Sequence, residues 1–317
     1  MTGVTARVPA KLNLQLAVGP PRADGYHDLV TVFHAVSLFD QVTVEPAGHD
    51  GVAVTGEGAD RVPADQDNLA MRAIEALRAA VPDRGTGAVH VTIAKRIPVA
   101  AGLAGGSADA AAALVACNEL WAAGLTQPQL SGIGATVGSD VAFALLGGTA
   151  VGRGRGEQLT PALAPATQYH WVLAFADGQL STPAVYAALD RLRAARNEDP
   201  ARAADHVPPA PAKPDLDAAL MSALRSGDAA RVGQRLSNDL QSAAVSLLPA
   251  LRKTLTAGLE LGALGALVAG SGPTCVFLAA NAERALELAV SLSGAGVCRS
   301  VARVSGPVPG AAVVSAA

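Results

Sequence analysis

The chain has 317 residues, half of them apolar and only 16% charged, with a formal net charge of −3. That composition supplies one large or two medium hydrophobic cores and excludes general disorder. The mild acidity points away from nucleic acid or an anionic membrane as partner. No uncharged apolar run reaches ~18 residues and the first residues hold no signal core, so a cytoplasmic protein is expected.

Near the N-terminus, Leu12, Leu14 and Leu16 alternate with Lys11, Asn13 and Gln15, the pattern of a strand with an apolar and a polar face. A polar face lining a cleft is the alternative, but a half-exposed strand with its polar face in solvent is expected. A loop of breakers, Gly19 to His27, leads to a β-rich stretch over 29–39, continued by 41–44, with 52–55 expected to pair with it. Asp67-Asn68 predicts the cap of a helix reaching about Ala80.

Val89, Val91 and Ile93 then mark a strand running to Lys95, followed by Pro98-Val-Ala-Ala-Gly102-Leu-Ala-Gly105-Gly106-Ser107-Ala108 and a long alanine-rich helix. Ser107 is placed to cap that helix, Asp109 to face its positive end, and Gly124 to stop it. A glycine-rich turn before a helix exposes backbone N–H donors and forms a site for phosphate oxygens. The same glycines also suit a tight turn packed for its own sake, and the loop alone does not choose. Neither Gly-x-x-x-x-Gly-Lys-Ser/Thr nor a dinucleotide fingerprint is present. Helices over 127–137 and 141–146 follow, separated by Gly138-Ser139-Asp140, and Gly147-Gly148 turns into another strand.

The second half begins near Pro161. A strand is expected over 170–175, and Ser181-Thr182-Pro183 opens a helix to about Leu192. Residues Ala194 to Pro214, rich in Ala, Pro and charge, suggest a mobile surface excursion. Helices are predicted over 215–226, 228–236 and 246–261, then two strands joined by Gly270-Ser-Gly272, a helix over 282–292 and a strand over 301–304. The three cysteines, Cys117, Cys275 and Cys298, lack metal-ligand spacing and are expected to be reduced thiols.

Three separated segments, Pro9 to Leu14, Pro98 to Ala108 and Ala269 to Cys275, together resemble the GHMP kinase superfamily. Asp24-Gly-Tyr26-His27, Asp67-Asn68-Leu69, Gly138 to Val141 and Ser181-Thr182-Pro183 resemble the branch acting on a cytidine-diphosphate conjugate of methylerythritol, in non-mevalonate isoprenoid synthesis. The resemblance implies a two-domain α+β fold, an ATP-binding part over 1–160 and a second over 161–317, with the active site between them. It implies Lys11 and Asp140 as the catalytic pair. ATP would lie on Pro98, Val99, Ala100, Ala101, Gly102, Leu103, Ala104, Gly105, Gly106, Ser107 and Ala108, with Asn68 near the adenine. The acceptor would lie on Asn13, Tyr26, His27 and Thr182.

Mg²⁺ would ride on the β- and γ-phosphates, with Ser107 the nearest hydroxyl ligand and no dedicated protein cage. The partner is a small molecule, and the oligomeric state a monomer or weak homodimer. Taken alone, Asp140 reads as a helix cap, Tyr26 as a ring at a strand entry and His27 as a surface histidine, while Asn68 and Thr182 suit a cap or a ligand contact. Where relatives carry glycines this chain has Ala100, Ala101 and Ala104, and a β-carbon at left-handed dihedrals costs on the order of 1 kcal/mol. Ordinary negative φ is therefore expected at all three. Two other outcomes stay open: a kinase of a smaller alcohol such as homoserine or mevalonate, and a nucleotide-binding regulator without chemistry.

Overall fold

The computed structural model describes residues 3–82, 85–163, 167–198 and 213–316. Two long strands dominate the first half, β1 (Val4–Pro21) and β2 (His27–Pro46), paired antiparallel along most of their length. Then come β3 (Gly51–Gly56), α1 (Leu69–Ala80), β4 (Val89–Lys95), α2 (Gly105–Leu120), α3 (Gln127–Val137), α4 (Val141–Leu146), β5 (Thr149–Gly154) and β6 (Gln158–Pro161). The expected pairing of β3 with β2 is corrected: β3 runs parallel to β4, and β4 in turn pairs with β2. The physical reason is the intervening helix, since a parallel pair requires a crossover and α1 supplies it.

The second half holds β7 (Tyr169–Phe175), α5 (Thr182–Glu198), α6 (Ala218–Ser226), α7 (Ala229–Gly233), β8 (Ser237–Asn238), α8 (Gln241–Leu247), α9 (Ala250–Glu260), β9 (Gly265–Val268), β10 (Cys275–Ala279), α10 (Ala282–Ala295), β11 (Ser300–Gly306) and β12 (Ala312–Ala316). Its sheet has the order β11-β7-β10-β9 and is antiparallel throughout. The helix expected over 246–261 is two helices, α8 and α9, interrupted at Leu248-Pro249. Proline lacks the N–H needed inside a helix and starts a new one instead. Helix α5 continues six residues past Leu192 to Glu198, so the expected excursion from Ala194 begins as helix; residues 199–212 lie outside the described residues.

Strand β12, unforeseen in the sequence, returns to pair with β1, and β8 also pairs with β1. The C-terminal half thus contributes strands to the N-terminal sheet. His34 of β2 meets the rings of Tyr169 and Trp171 on β7, with centroids 5.9 and 5.7 Å away, where the two sheets adjoin. Burial holds that imidazole neutral, lowering its pKa to about 3.

Alternation on β1 comes out differently from a half-solvated strand. Leu12, Leu14 and Leu16 are buried, but so are Lys11, Asn13 and Gln15 opposite them. Burying an amine and two amides requires partners: the Gln15 amide donates to the Asp215 carbonyl and accepts the Asp217 N–H, and the partners of Lys11 and Asn13 build the site described next.

Candidate active site

Asn13 lies two residues from Lys11 and therefore shares its face of β1. The Lys11 ammonium donates to Asn13 Oδ1 at 2.7 Å, and the Asn13 amide donates to the Thr31 hydroxyl at 2.8 Å. That hydroxyl donates in turn to the Gln15 carbonyl at 2.7 Å. The relay fixes the lysine's terminus, which stands 3.8 Å from Asp140 Oδ2. Asp140 occupies the N-cap of α4 yet its carboxylate makes no capping bond. A capping role is thereby replaced by one facing Lys11.

Both groups line a cavity of about 900 Å³. One wall is the glycine-rich turn, represented by Ala100, Ala101, Gly102, Ala104, Gly105, Gly106 and Ser107. Gly102 has φ of 77°, and a β-carbon there would come within 2.0 Å of the Ala269 carbonyl oxygen. This glycine therefore serves both a left-handed dihedral and a backbone-to-backbone contact with the Gly270–Gly272 loop. That loop is itself fastened by the Asn238 amide, which donates to the Val268 and Gly270 carbonyls at 2.7 Å each.

The expectation of negative φ is wrong at two of three positions: Ala100 has φ of 55° and Ala104 of 59°, and only Ala101 avoids the left-handed region. Neighbouring contacts decide the path. With Gly102 against Ala269 and Lys11 N–H donating to the Leu103 carbonyl at 3.3 Å, the flanking alanines follow the turn and absorb its strain. The capping expectation for Ser107 is also corrected. Helix α2 begins at Gly105 with Ala104 at its N-cap, so Ser107 sits inside the first turn and lines the cavity.

Behind the turn lies a buried ionic cluster. Lys95 donates to Asp40 at 2.5 Å and to Asp109 at 2.7 Å, while Asp40 Oδ1 accepts the N–H groups of Arg96 and Ile97 at 2.5 and 2.8 Å. The cluster pins the end of β4 to the start of the turn. Burial pushes the Asp109 carboxyl up to about 8, with Lys95 pulling the other way. Burial would lower Lys95, yet its two carboxylate neighbours raise it above the usual amine value. Asp109 therefore faces a lysine rather than the open end of the helix.

A smaller adjoining cavity of about 220 Å³ is lined by Asn68, Leu69, Pro98, Val99, Gly105 and Asp109, among others. Asn68 caps α1, accepting from Ala70 N–H at 2.9 Å while its amide donates to the Pro63 carbonyl at 2.7 Å. Leu103 and Ala108, expected with the nucleotide residues, are buried in the core and line neither cavity.

At the far end of the large cavity stand Tyr26, from the turn between β1 and β2, and His27, the first residue of β2. His27 Nε2 lies 3.0 Å from Asp190 Oδ1, and its ring is 5.0 Å from that of Tyr186. Thr182, Tyr186 and Asp190 fall four residues apart on one face of α5. Thr182 shares a 2.9 Å hydrogen bond with Ser271 of the glycine-bearing loop. Tyr186, Asp190, Ser139, Arg155 and Ser271 were not anticipated, although the four-residue spacing from Thr182 was a usable signal for two of them.

A cavity with phosphate-sized backbone donors at one wall, a lysine–aspartate pair at its middle and rings at its end fits a bound nucleotide and a second, ring-bearing substrate. Residues 68–148 match the GHMP kinases N terminal domain, and 220–298 match GHMP kinases C terminal. A 4-diphosphocytidyl-2-C-methyl-D-erythritol kinase of Thermobifida fusca is 54% identical over 99% of both chains. Another such kinase, from Nocardia farcinica, is 55% identical over 98% of this chain and 96% of that one.

The chain belongs to the GHMP kinases.

A solved 4-(cytidine 5'-diphospho)-2C-methyl-D-erythritol kinase superposes on this kinase with a TM-score of 0.73 at 34% identity, covering 95% of this chain and 98% of that one. Homoserine kinase from Cytophaga hutchinsonii reaches the same TM-score at 19% identity, covering 99% and 98%, which shows the shared α+β fold alone. As a GHMP kinase the chain uses ATP to phosphorylate a small molecule. Among the described residues, no helix is long and apolar enough to cross a membrane. Among them too, no cluster of three or more His, Cys, Asp or Glu side chains could hold a metal ion. Burial raises both Cys117 and Cys275 to about 12, leaving them protonated thiols.

Proposed function

We propose that this kinase transfers the γ-phosphoryl group of ATP to the 2-hydroxyl of 4-diphosphocytidyl-2-C-methyl-D-erythritol, giving ADP and the phosphorylated conjugate. It acts in the cytoplasm, as a monomer or weak homodimer, on the route to isoprenoid precursors. The observation that carries the proposal is the Lys11–Asp140 pair, 3.8 Å apart, lining the same cavity as the glycine-rich turn and the Tyr26–His27 end. The identity above 50% to kinases bearing that substrate's name supports the choice of acceptor.

The backbone N–H groups at the start of α2 hold the triphosphate, aided by the positive helix end. The adenine goes to the smaller cavity beside Asn68, whose amide already braces the Pro63 carbonyl. Asp140 accepts or orients the acceptor's hydroxyl proton as its oxygen bonds to phosphorus and the bond to ADP breaks. Lys11, 3.8 Å from that carboxylate, balances the charge spreading over the transferring group. Asn13 holds the ammonium in register for this role. Mg²⁺ fits as a nucleotide complex, because it retains waters and binds through one or two protein oxygens; Ser107 is the hydroxyl placed to take part. When bound, the ion screens the phosphate charges.

The acceptor's cytosine lies against Tyr26, His27 and Tyr186, with Asp190 fixing the imidazole. A small alcohol such as homoserine has no ring to fill that end. ATP consumption with a panel of alcohols tests the assignment. Turnover of the cytidylated substrate alone is expected. Turnover of homoserine or mevalonate instead would move the enzyme to another branch, and tight ATP binding with no turnover would make it a regulator.

A further inference from the structure

The large cavity is lined by five ionisable charges or potential charges: Lys11, His27, Asp140, Arg155 and Asp190. Two pairs account for four of them, Lys11 with Asp140 and His27 with Asp190. Arg155 is left over. Among the described residues its guanidinium meets no carboxylate; instead it lies 5.2 Å from the centre of the Tyr26 ring. A cation on a tyrosine face is held there by the ring's quadrupole.

Local structure fixes this placement. Arg155 sits in the turn between β5 and β6, flanked by Gly154 and Gly156 with φ of 71° and 105°. Glu157, two residues on, accepts the Arg155 backbone N–H at 2.7 Å and makes no ion pair with its guanidinium. Tyr26 is held from its own side, its N–H donating to Asp24 at 3.1 Å. The other arginine at this end, Arg22, is already paired with Asp24 and Asp28. The result is one planar, permanently charged fork at the ring-bearing end of the cavity, with its donors unmatched.

We propose that Arg155 is an acceptor-binding residue that takes a phosphate oxygen of the cytidine diphosphate group while its plane rests on Tyr26. This rests on the acceptor assigned above and adds a residue to its recognition. A guanidinium matches phosphate in charge and in fork geometry, and the diphosphate must run from the rings at one end toward Lys11 and Asp140. Arg155 thereby distinguishes nucleotide conjugates from uncharged cytidine, a discrimination the aromatic groups alone cannot make.

The test compares wild type, Arg155→Ala and Arg155→Gln for binding of cytidine and CDP by calorimetry, and for steady-state kinetics with the cytidylated acceptor. Loss of a charge-assisted hydrogen bond corresponds to about tenfold in affinity. Both variants are expected to weaken CDP about tenfold and cytidine by less than about twofold. The acceptor's KM should rise to match with the KM for ATP unmoved, and CDP binding should lose part of its salt dependence. Equal weakening of cytidine and CDP would reduce Arg155 to a prop for Tyr26, and no change in either would remove it from the site; both overturn the proposal. If wild type turns over the cytidylated acceptor and either result appears, only Arg155 is displaced. If wild type holds neither ligand, the cytidine-nucleotide assignment falls, and this proposal with it.

Discussion

On the proposed function, the donor and acceptor ends of the cavity are built on opposite plans. At the donor end one contiguous stretch, Pro98 to Ser107, presents backbone between β4 and α2, braced by Lys95 with Asp40 and Asp109 behind it. At the acceptor end the groups are side chains from distant elements: Tyr26 just before β2 and His27 at its start, Arg155 in a hairpin, Tyr186 and Asp190 on α5. A backbone cradle tolerates change in side-chain identity but not in shape. A side-chain clamp tolerates shape change but depends on each group. Phosphates are common to all nucleotides, whereas an acceptor must be told from others, which matches each plan to its task.

The sharpest break of this contrast is Gly102→Ala. Its β-carbon would meet the Ala269 carbonyl at 2.0 Å and force a left-handed alanine. Overpacking and dihedral strain together are expected to cost about 3 kcal/mol, read as a fall in denaturation midpoint with weakened ATP binding. A midpoint equal to wild type would show that the two loops are not in contact. At the other end, Asp190→Asn removes the charge holding His27. The acceptor's KM should rise about tenfold, with that for ATP unchanged; a change in the ATP constant alone would merge the two ends.

Ala104→Gly sharpens the donor side. Relieving a left-handed alanine with φ of 59° should raise stability by about 1 kcal/mol, offset in part by the glycine's greater freedom when unfolded. A destabilised variant would argue against the observed dihedral.

A further test concerns pH. Burial raises the folded Asp109 carboxyl above its ordinary range even against Lys95, so the folded protein holds that proton more tightly than the unfolded chain does. Its contribution to stability is complete below that range and is lost as pH climbs through the folded value. Urea midpoints measured from pH 5 to pH 9 should thus decline more steeply in wild type than in Asp109→Asn. Parallel curves would show that Asp109 is ionised throughout.

Much of the donor end was legible because its residues are local. The Asn68 cap, the β4 alternation and the run of glycines are each written within a few neighbours, and α1 and β4 appear where they point. What failed there was decided by distant contacts. The φ values of Ala100 and Ala104 follow from Gly102 lying against Ala269, a contact no local pattern contains. The same holds for β12, whose pairing with β1 joins the two ends of the chain. Tyr26 and His27 were named through resemblance and line the cavity, as do Tyr186, Asp190 and Arg155, which were not named. Tyr186 and Asp190 carried a helical spacing that went unused. Arg155 carried none, since only the fold brings its turn beside Tyr26.

The pair joining the two ends, Lys11 and Asp140, gives the most direct test. Single-turnover transfer from ATP to the cytidylated acceptor should be measured for Asp140→Asn, with ATP affinity taken on the same preparation. Proton acceptance or orientation by a placed carboxylate contributes roughly 100-fold or more. A rate reduced by about that factor, with ATP affinity within about twofold of wild type, is the expected result. An undiminished rate, with both substrates bound, would contradict it.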